Sequence, residues 1–153
     1  AGSWYKGAVQ ITLTAQDALS GNGTTFYGVD NGETQTYGEP FTPDLSTGVH
    51  SIVYWSVDLA GNTEAKQLLS VKIDNNPPTI TGAATPSSNG FGWNNTAVNV
   101  NFACGDAESG IAGCGPDATV GSEGANQTVQ GDARDVAGNT SSTTVDHISI
   151  DKT

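Results

Sequence analysis

The sequence predicts an all-β protein built as two tandem antiparallel β-sandwiches. Three observations predict it. Apolar and polar residues alternate over short stretches, no segment carries a helical period, and one set of motifs occurs twice. The composition agrees: of 153 residues, 35% are hydrophobic and 14% charged, with 20 Gly and no Met, unlike a helical bundle.

The duplication can be read residue by residue. Trp4, Ala8, Val9, Asp17, Ser20 and Gly21 return, in the same spacing, as Trp93, Ala97, Val98, Asp106, Ser109 and Gly110. Asp58-Leu59-Ala60-Gly61-Asn62 returns as Asp135-Val136-Ala137-Gly138-Asn139, and Ile73-Asp74 returns as Ile150-Asp151. The first match is offset by 93 − 4 = 89 and the second by 135 − 58 = 77, so copy two is shorter in its middle. The expected modules are 1–76 and 77–153, joined at Asp74-Asn75-Asn76-Pro77-Pro78, where the prolines favour extended backbone. Such a pair is expected to belong to a longer protein.

In copy one, Val9, Ile11, Leu13 and Ala15 alternate with polar residues and predict a first strand. Phe26-Tyr27-Gly28-Val29 predicts a strand running into a hairpin at Asp30-Asn31-Gly32-Glu33. His50 to Val57 predicts the strand that ends on the Asp58 motif, and Gln67 to Ile73 the strand that closes the copy. In copy two, Val98, Val100 and Phe102 alternate with Asn99 and Asn101, and Val145 to Ile150 closes the unit. Short strands between turn signals, in modules of this size, predict sandwiches.

Both repeated motifs fall where strands turn. Gly61 and Gly138 can take the left-handed backbone of a tight turn, and Asp58, Asn62, Asp135 and Asn139 can accept or donate to nearby backbone. In an immunoglobulin-like topology both motif loops open at the same end of the sandwich. That end could also gather oxygen ligands for calcium: Asp17 with Asp58 in copy one, Asp106 with Glu108 and Asp135 in copy two, and Asp74 at the linker. No twelve-residue calcium loop is present.

Cys104 and Cys114 lie close together without a zinc-site pattern of neighbours, and predict a disulfide across a short loop and an extracellular, secreted or cell-surface setting. The balance of 5 Lys+Arg against 16 Asp+Glu gives a net charge of −11, a surface that repels nucleic acid and anionic lipid. No run is long and apolar enough for a membrane helix.

Copy two orients the sheet of copy one. Gln130, Asp132 and Arg134 are polar and must face solvent, and they correspond to Val53, Trp55 and Val57. These three, with Phe26 on the neighbouring strand, predict an outward aromatic face on copy one, a candidate surface for carbohydrate or protein.

The Ala-x-Asp-x-x-Ser-Gly start, the Tyr27-x-Val29-Asp30 strand, the Asp-x-Ala-Gly-Asn turn and the Ile-Asp ending followed by Pro resemble bacterial immunoglobulin-like tandem repeats. Copy two keeps both Asp motifs but has the cysteine pair in place of the Tyr strand. The resemblance implies two tandem immunoglobulin-like β-sandwiches, of the kind found in large secreted adhesins and polysaccharide-degrading enzymes. It implies a spacer or accessory role whose partners are neighbouring domains, a polysaccharide or a surface protein. No Gly-x-Ser-x-Gly, His-Glu-x-x-His or phosphate loop is present, so no enzyme and no required cofactor is expected, with calcium an option. The expected role is a non-catalytic spacer; the alternative is a binding module using Phe26, Val53, Trp55 and Val57.

Overall fold

The computed structural model describes residues 3–153, and among them every regular element is a strand. They are β1 (Trp4–Tyr5), β2 (Thr24–Val29), β3 (Gln35–Tyr37), β4 (Gly48–Val57), β5 (Gln67–Ile73), β6 (Thr79–Thr85), β7 (Val98–Gly105), β8 (Ile111–Gly115), β9 (Ala118–Val120), β10 (Gly124–Asp135) and β11 (Thr140–Ile150). The chain divides into two compact units, the first ending at Asn75 and the second running Asn76–Thr153.

Unit 1 is one five-stranded sheet in the order β1-β5-β4-β2-β3, with β1 parallel to β5 and the other pairs antiparallel. Its second layer is not a sheet. The strand expected over Val9 to Ala15 is absent as a ladder. Ile11 and Phe41 form a single bridge, exchanging N–H···O bonds of 2.8 and 3.1 Å. Pro40 and Pro43 flank Phe41 and lack N–H donors, so the pairing has little to extend along. The alternation still works as a burial pattern. Ile11 and Leu13 join Tyr27, Ile52, Val71 and Ile73 in the core, with Phe41 stacked on Tyr27.

The β2–β3 hairpin turns at Asp30 and Asn31, both with positive φ (47° and 60°). Asp and Asn tolerate that region better than most residues, and it matches the right-handed strand twist.

Unit 2 has two three-stranded sheets, β11-β10-β8 and β6-β7-β9. Val98 and Val100 from β7 meet Ile148 and Ile150 from β11 in its core. Phe102 fills the space above two glycines. A Cβ on Gly131 would stand 2.6 Å from its ring, and one on Gly82 would stand 2.8 Å from it. Residues 104–114, expected as a bridged loop, are largely strand: Cys104 lies in β7 and Cys114 in β8. Their disulfide (Cα–Cα 5.9 Å) staples the two sheets, leaving only the turn around Asp106 between the strands.

Candidate functional sites at the motif loops and on the outer face of unit 1

The two repeated motifs dock on one another, and they do so in the same way in both units. In unit 1, Oδ1 of Asp17 accepts from the N–H groups of Leu19 (2.9 Å) and Gly21 (2.8 Å). In unit 2, Oδ1 of Asp106 accepts from Glu108 (3.2 Å) and Gly110 (2.7 Å). The Asp-x-Ala-Gly-Asn turn closes on its own aspartate. Asn62 donates its N–H (2.8 Å) and Nδ2 (2.7 Å) to Asp58, and Asn139 donates the same two groups (both 2.7 Å) to Asp135. Gly138 adds a third N–H to Asp135 (2.6 Å). Gly61 and Gly138 hold φ of 90° and 100°, a backbone that glycine adopts without strain.

One bond then ties motif to motif. The N–H of Leu59 donates to the carbonyl of Gly21 (3.3 Å), and the N–H of Val136 donates to that of Gly110 (2.9 Å). In unit 2 the Ser109 hydroxyl also accepts from the N–H of Ala137 (3.3 Å). Backbone N–H donors hold the Asp17 carboxyl below its ordinary value, and the Asn62 amide does the same to Asp58.

The candidate calcium ligands are therefore distributed as follows. Asp17 and Asp58 line one polar hollow in unit 1 with Asn22, Asn62 and Glu64, but both oxygens of Asp58 are already bound by Asn62. In unit 2 a carboxylate oxygen of Asp106 and one of Asp135 lie within 4.8 Å of each other. Asp135 is fully buried, with both oxygens bound within its own turn as at Asp58, and Asp106 is half-buried. Asp74 follows β5, fully buried, its N–H donating to the Tyr5 carbonyl (2.9 Å).

A titratable contact absent from the sequence reading lies in unit 1. His50 places Nδ1 2.6 Å from Oδ2 of Asp30 and Nε2 2.8 Å from the Ser46 carbonyl. Asp30 also accepts from the N–H of Ser51 (2.8 Å). The pair links the hairpin turn to the loop before β4. At the position matching His50 by the offset of 77, unit 2 has Gln127, whose Nε2 donates to the Ser122 carbonyl (3.0 Å).

On β4, Ile52 is fully buried, so Val53, Trp55 and Val57 point to the other face of the sheet. Phe26 pairs with Trp55 in register, and their rings stack at 5.7 Å and 24°. The aromatic pair is half-buried rather than bare: the Lys66 ammonium sits 4.3 Å from the Trp55 ring centroid. The most exposed apolar side chains on this face are Val49 (64%) and Leu68 (70%). Of the matched tryptophans, Trp4 lies on this outer face and Trp93 is 39% exposed; Asn94 beside Trp93 is buried.

No family model matches the chain, and no curated protein matches it. Among solved structures it is similar to the fibronectin(III)-like modules of Clostridium thermocellum CbhA, at 13% identity and a TM-score of 0.45, over 98% of this chain and 90% of that one.

Proposed function

We propose that the chain is a non-catalytic, extracellular structural pair that spaces other domains of a larger protein. The observation that carries this reading is the motif-to-motif clasp, repeated in both units. Loops that recruit ligands or perform chemistry keep polar groups free and are drawn from the less stable parts of a fold. Here the conserved spacing of Asp, Ser, Gly and Asn between the copies closes the loops on themselves. The disulfide supports an oxidising compartment. Backbone ¹⁵N relaxation tests the reading. We expect the Asp17–Gly21, Asp58–Asn62, Asp106–Gly110 and Asp135–Asn139 loops to match the strands, with order parameters near ~0.85. Values below ~0.6 in these loops would remove the basis for a closed end.

Calcium is a second reading, favoured by the close Asp106 and Asp135 carboxylates of unit 2. Two like charges at that distance, one fully buried, repel each other, and a divalent cation with oxygen ligands relieves the repulsion. Binding to the folded state alone raises the melting temperature. We expect calcium, against chelator, to raise Tm in the native chain and not in Asp106→Asn. Superimposable melting curves for the native chain end the calcium reading and leave the clasp untouched.

A further inference from the structure

The outer face of the unit 1 sheet differs in charge from the rest of the molecule. Unit 1 holds eight carboxylates, Asp17, Asp30, Glu33, Glu39, Asp44, Asp58, Glu64 and Asp74, and none lies on a strand. The strand registers fix what the face presents instead. One row is Trp4, Lys72 and Val49; the next is Ser70 and Ser51; then Leu68, Val53 and Gly28; then Trp55 and Phe26. Lys72 lies over the Trp4 ring (5.7 Å) and Lys66 over the Trp55 ring (4.3 Å). Among the described residues neither ammonium is paired with a carboxylate. Two of the chain's 5 cations therefore stand on an apolar face whose strands carry no carboxylate, in a protein of net charge −11; Asp30, bonded to Ser51 at the end of β2, borders it.

We propose that this face binds an anionic polysaccharide laid along β4. The two Lys–Trp stations sit at opposite ends of the face, six residues apart along β4, or ~20 Å at ~3.3 Å per residue. An extended chain with repeating carboxylates or sulfates can reach both. Val49, Val53 and Leu68 offer the flat apolar surface on which sugar rings pack. Ser70 offers a hydroxyl between the stations, and Gly28 leaves a notch beside Val53. The carboxylates of unit 1 oppose approach, but they lie outside the strands, and exposed charge is screened over ~8 Å at physiological ionic strength. The matching face of unit 2 carries Gln130, Asp132 and Arg134 and has no such apolar, purely cationic surface. This inference is independent of the spacer role.

The test uses the full chain and two matched polymer pairs at about 0.15 M salt. The pairs are polygalacturonate with its methyl ester, and dextran sulfate with dextran. We expect binding to at least one anionic polymer and at least tenfold weaker binding to its neutral partner. Lys66→Gln with Lys72→Gln, both surface changes, should lower that affinity at least tenfold with Tm unchanged. Arg134→Gln with Lys152→Gln, which removes two cations of unit 2, should leave it unchanged. Absence of binding to all four polymers, equal binding within both pairs, or an equal loss in the unit 2 variant overturns the proposal. Sedimentation of the chain alone is run beside it: a dimer dispersed by Leu68→Asp means that a second copy covers the face, and overturns it as well.

Discussion

His50 faces two oxygens, the carboxylate of Asp30 and the carbonyl of Ser46, and neither can donate a proton to it. Only the doubly protonated imidazolium satisfies both. The Asp30 contact, then the Ser46 carbonyl, raises the His50 pKa above its ordinary 6.5. Its stabilising effect is complete below the unfolded pKa and is lost as pH rises through the folded one. Asp17, Asp30 and Asp58 are held below their ordinary 3.8 by hydrogen bonds, backbone N–H donors first except at Asp58, where the Asn62 amide leads. Their contribution is present above the unfolded value and lost as pH falls through the folded one. Unit 1 should therefore be most stable between about pH 4 and 6.5, and should weaken on the alkaline side. His50→Gln should flatten the alkaline limb in a Tm-against-pH series, because Gln127 makes the corresponding loop bond in unit 2 without titrating. An unaltered limb would place the sensitivity elsewhere. The clasps allow a second comparison. Asp135→Ala strands three donors in a buried turn and should cost about 3 kcal/mol or more in urea unfolding. Asp58→Ala, at a half-buried turn, should cost clearly less. Equal losses would mean that the turns do not act as described. The Asp and Asn turn roles were legible in the sequence because the bonds close within four residues. The His50–Asp30 pair was not, since it spans 20 residues and belongs to no motif.

The strands show how a duplicated fold tolerates different interiors. By the two offsets, Phe102 and Gly131 of unit 2 correspond to Leu13 and Tyr54 of unit 1. Unit 1 has the smaller residue, Leu13, at the Phe102 position and the larger, Tyr54, at the Gly131 position, and unit 2 reverses the order of size. Gly131→Ala should destabilise unit 2 by about 1–3 kcal/mol, because its Cβ meets the Phe102 ring and not a movable chain end. Phe102→Leu in the same chain should return part of that loss. A double-mutant cycle reads the coupling, and strict additivity would rule out the size exchange. Period-two alternation located β7 in the sequence, runs next to turn signals and motifs located β2, β4, β5 and the end of β11, and alternation also marked the buried Ile11 and Leu13, where no ladder forms. Alternation reports burial, whereas a ladder also needs donors on the partner, and the Pro40–Pro43 stretch supplies few. β8 escaped notice because Ile111-Ala-Gly-Cys-Gly115 has only one bulky apolar residue; its place in the sheet comes from β10 and the disulfide.

At the scale of the molecule, the two core clusters share no residue, so each unit should unfold as its own cooperative event. Residues 76–153 expressed alone should fold. Reducing the Cys104–Cys114 bond, which closes a separation of 10 residues, should destabilise that unit by ~2.5–3 kcal/mol and leave the other transition in place. A calorimetric trace in which reductant moves both transitions together would contradict this independence. The repeat and the disulfide were visible in the sequence. The outer-face lysines were not, because their position over Trp4 and Trp55 depends on strand register. One feature of unit 1 bears on how such a module fares under tension. The chain enters through β1 and leaves through β5, and these strands run parallel, Trp4 beside Lys72 and Tyr5 beside Ile73. The Asp74 N–H donates to Tyr5, and the Gly7 N–H to Asn75, extending the contact past the strand ends. Opposed pulls on the two ends would slide these strands lengthwise and load the bonds simultaneously, instead of unzipping them in succession. Traction along a polymer-anchored protein would thus meet its first resistance at the seam where unit 1 begins and ends.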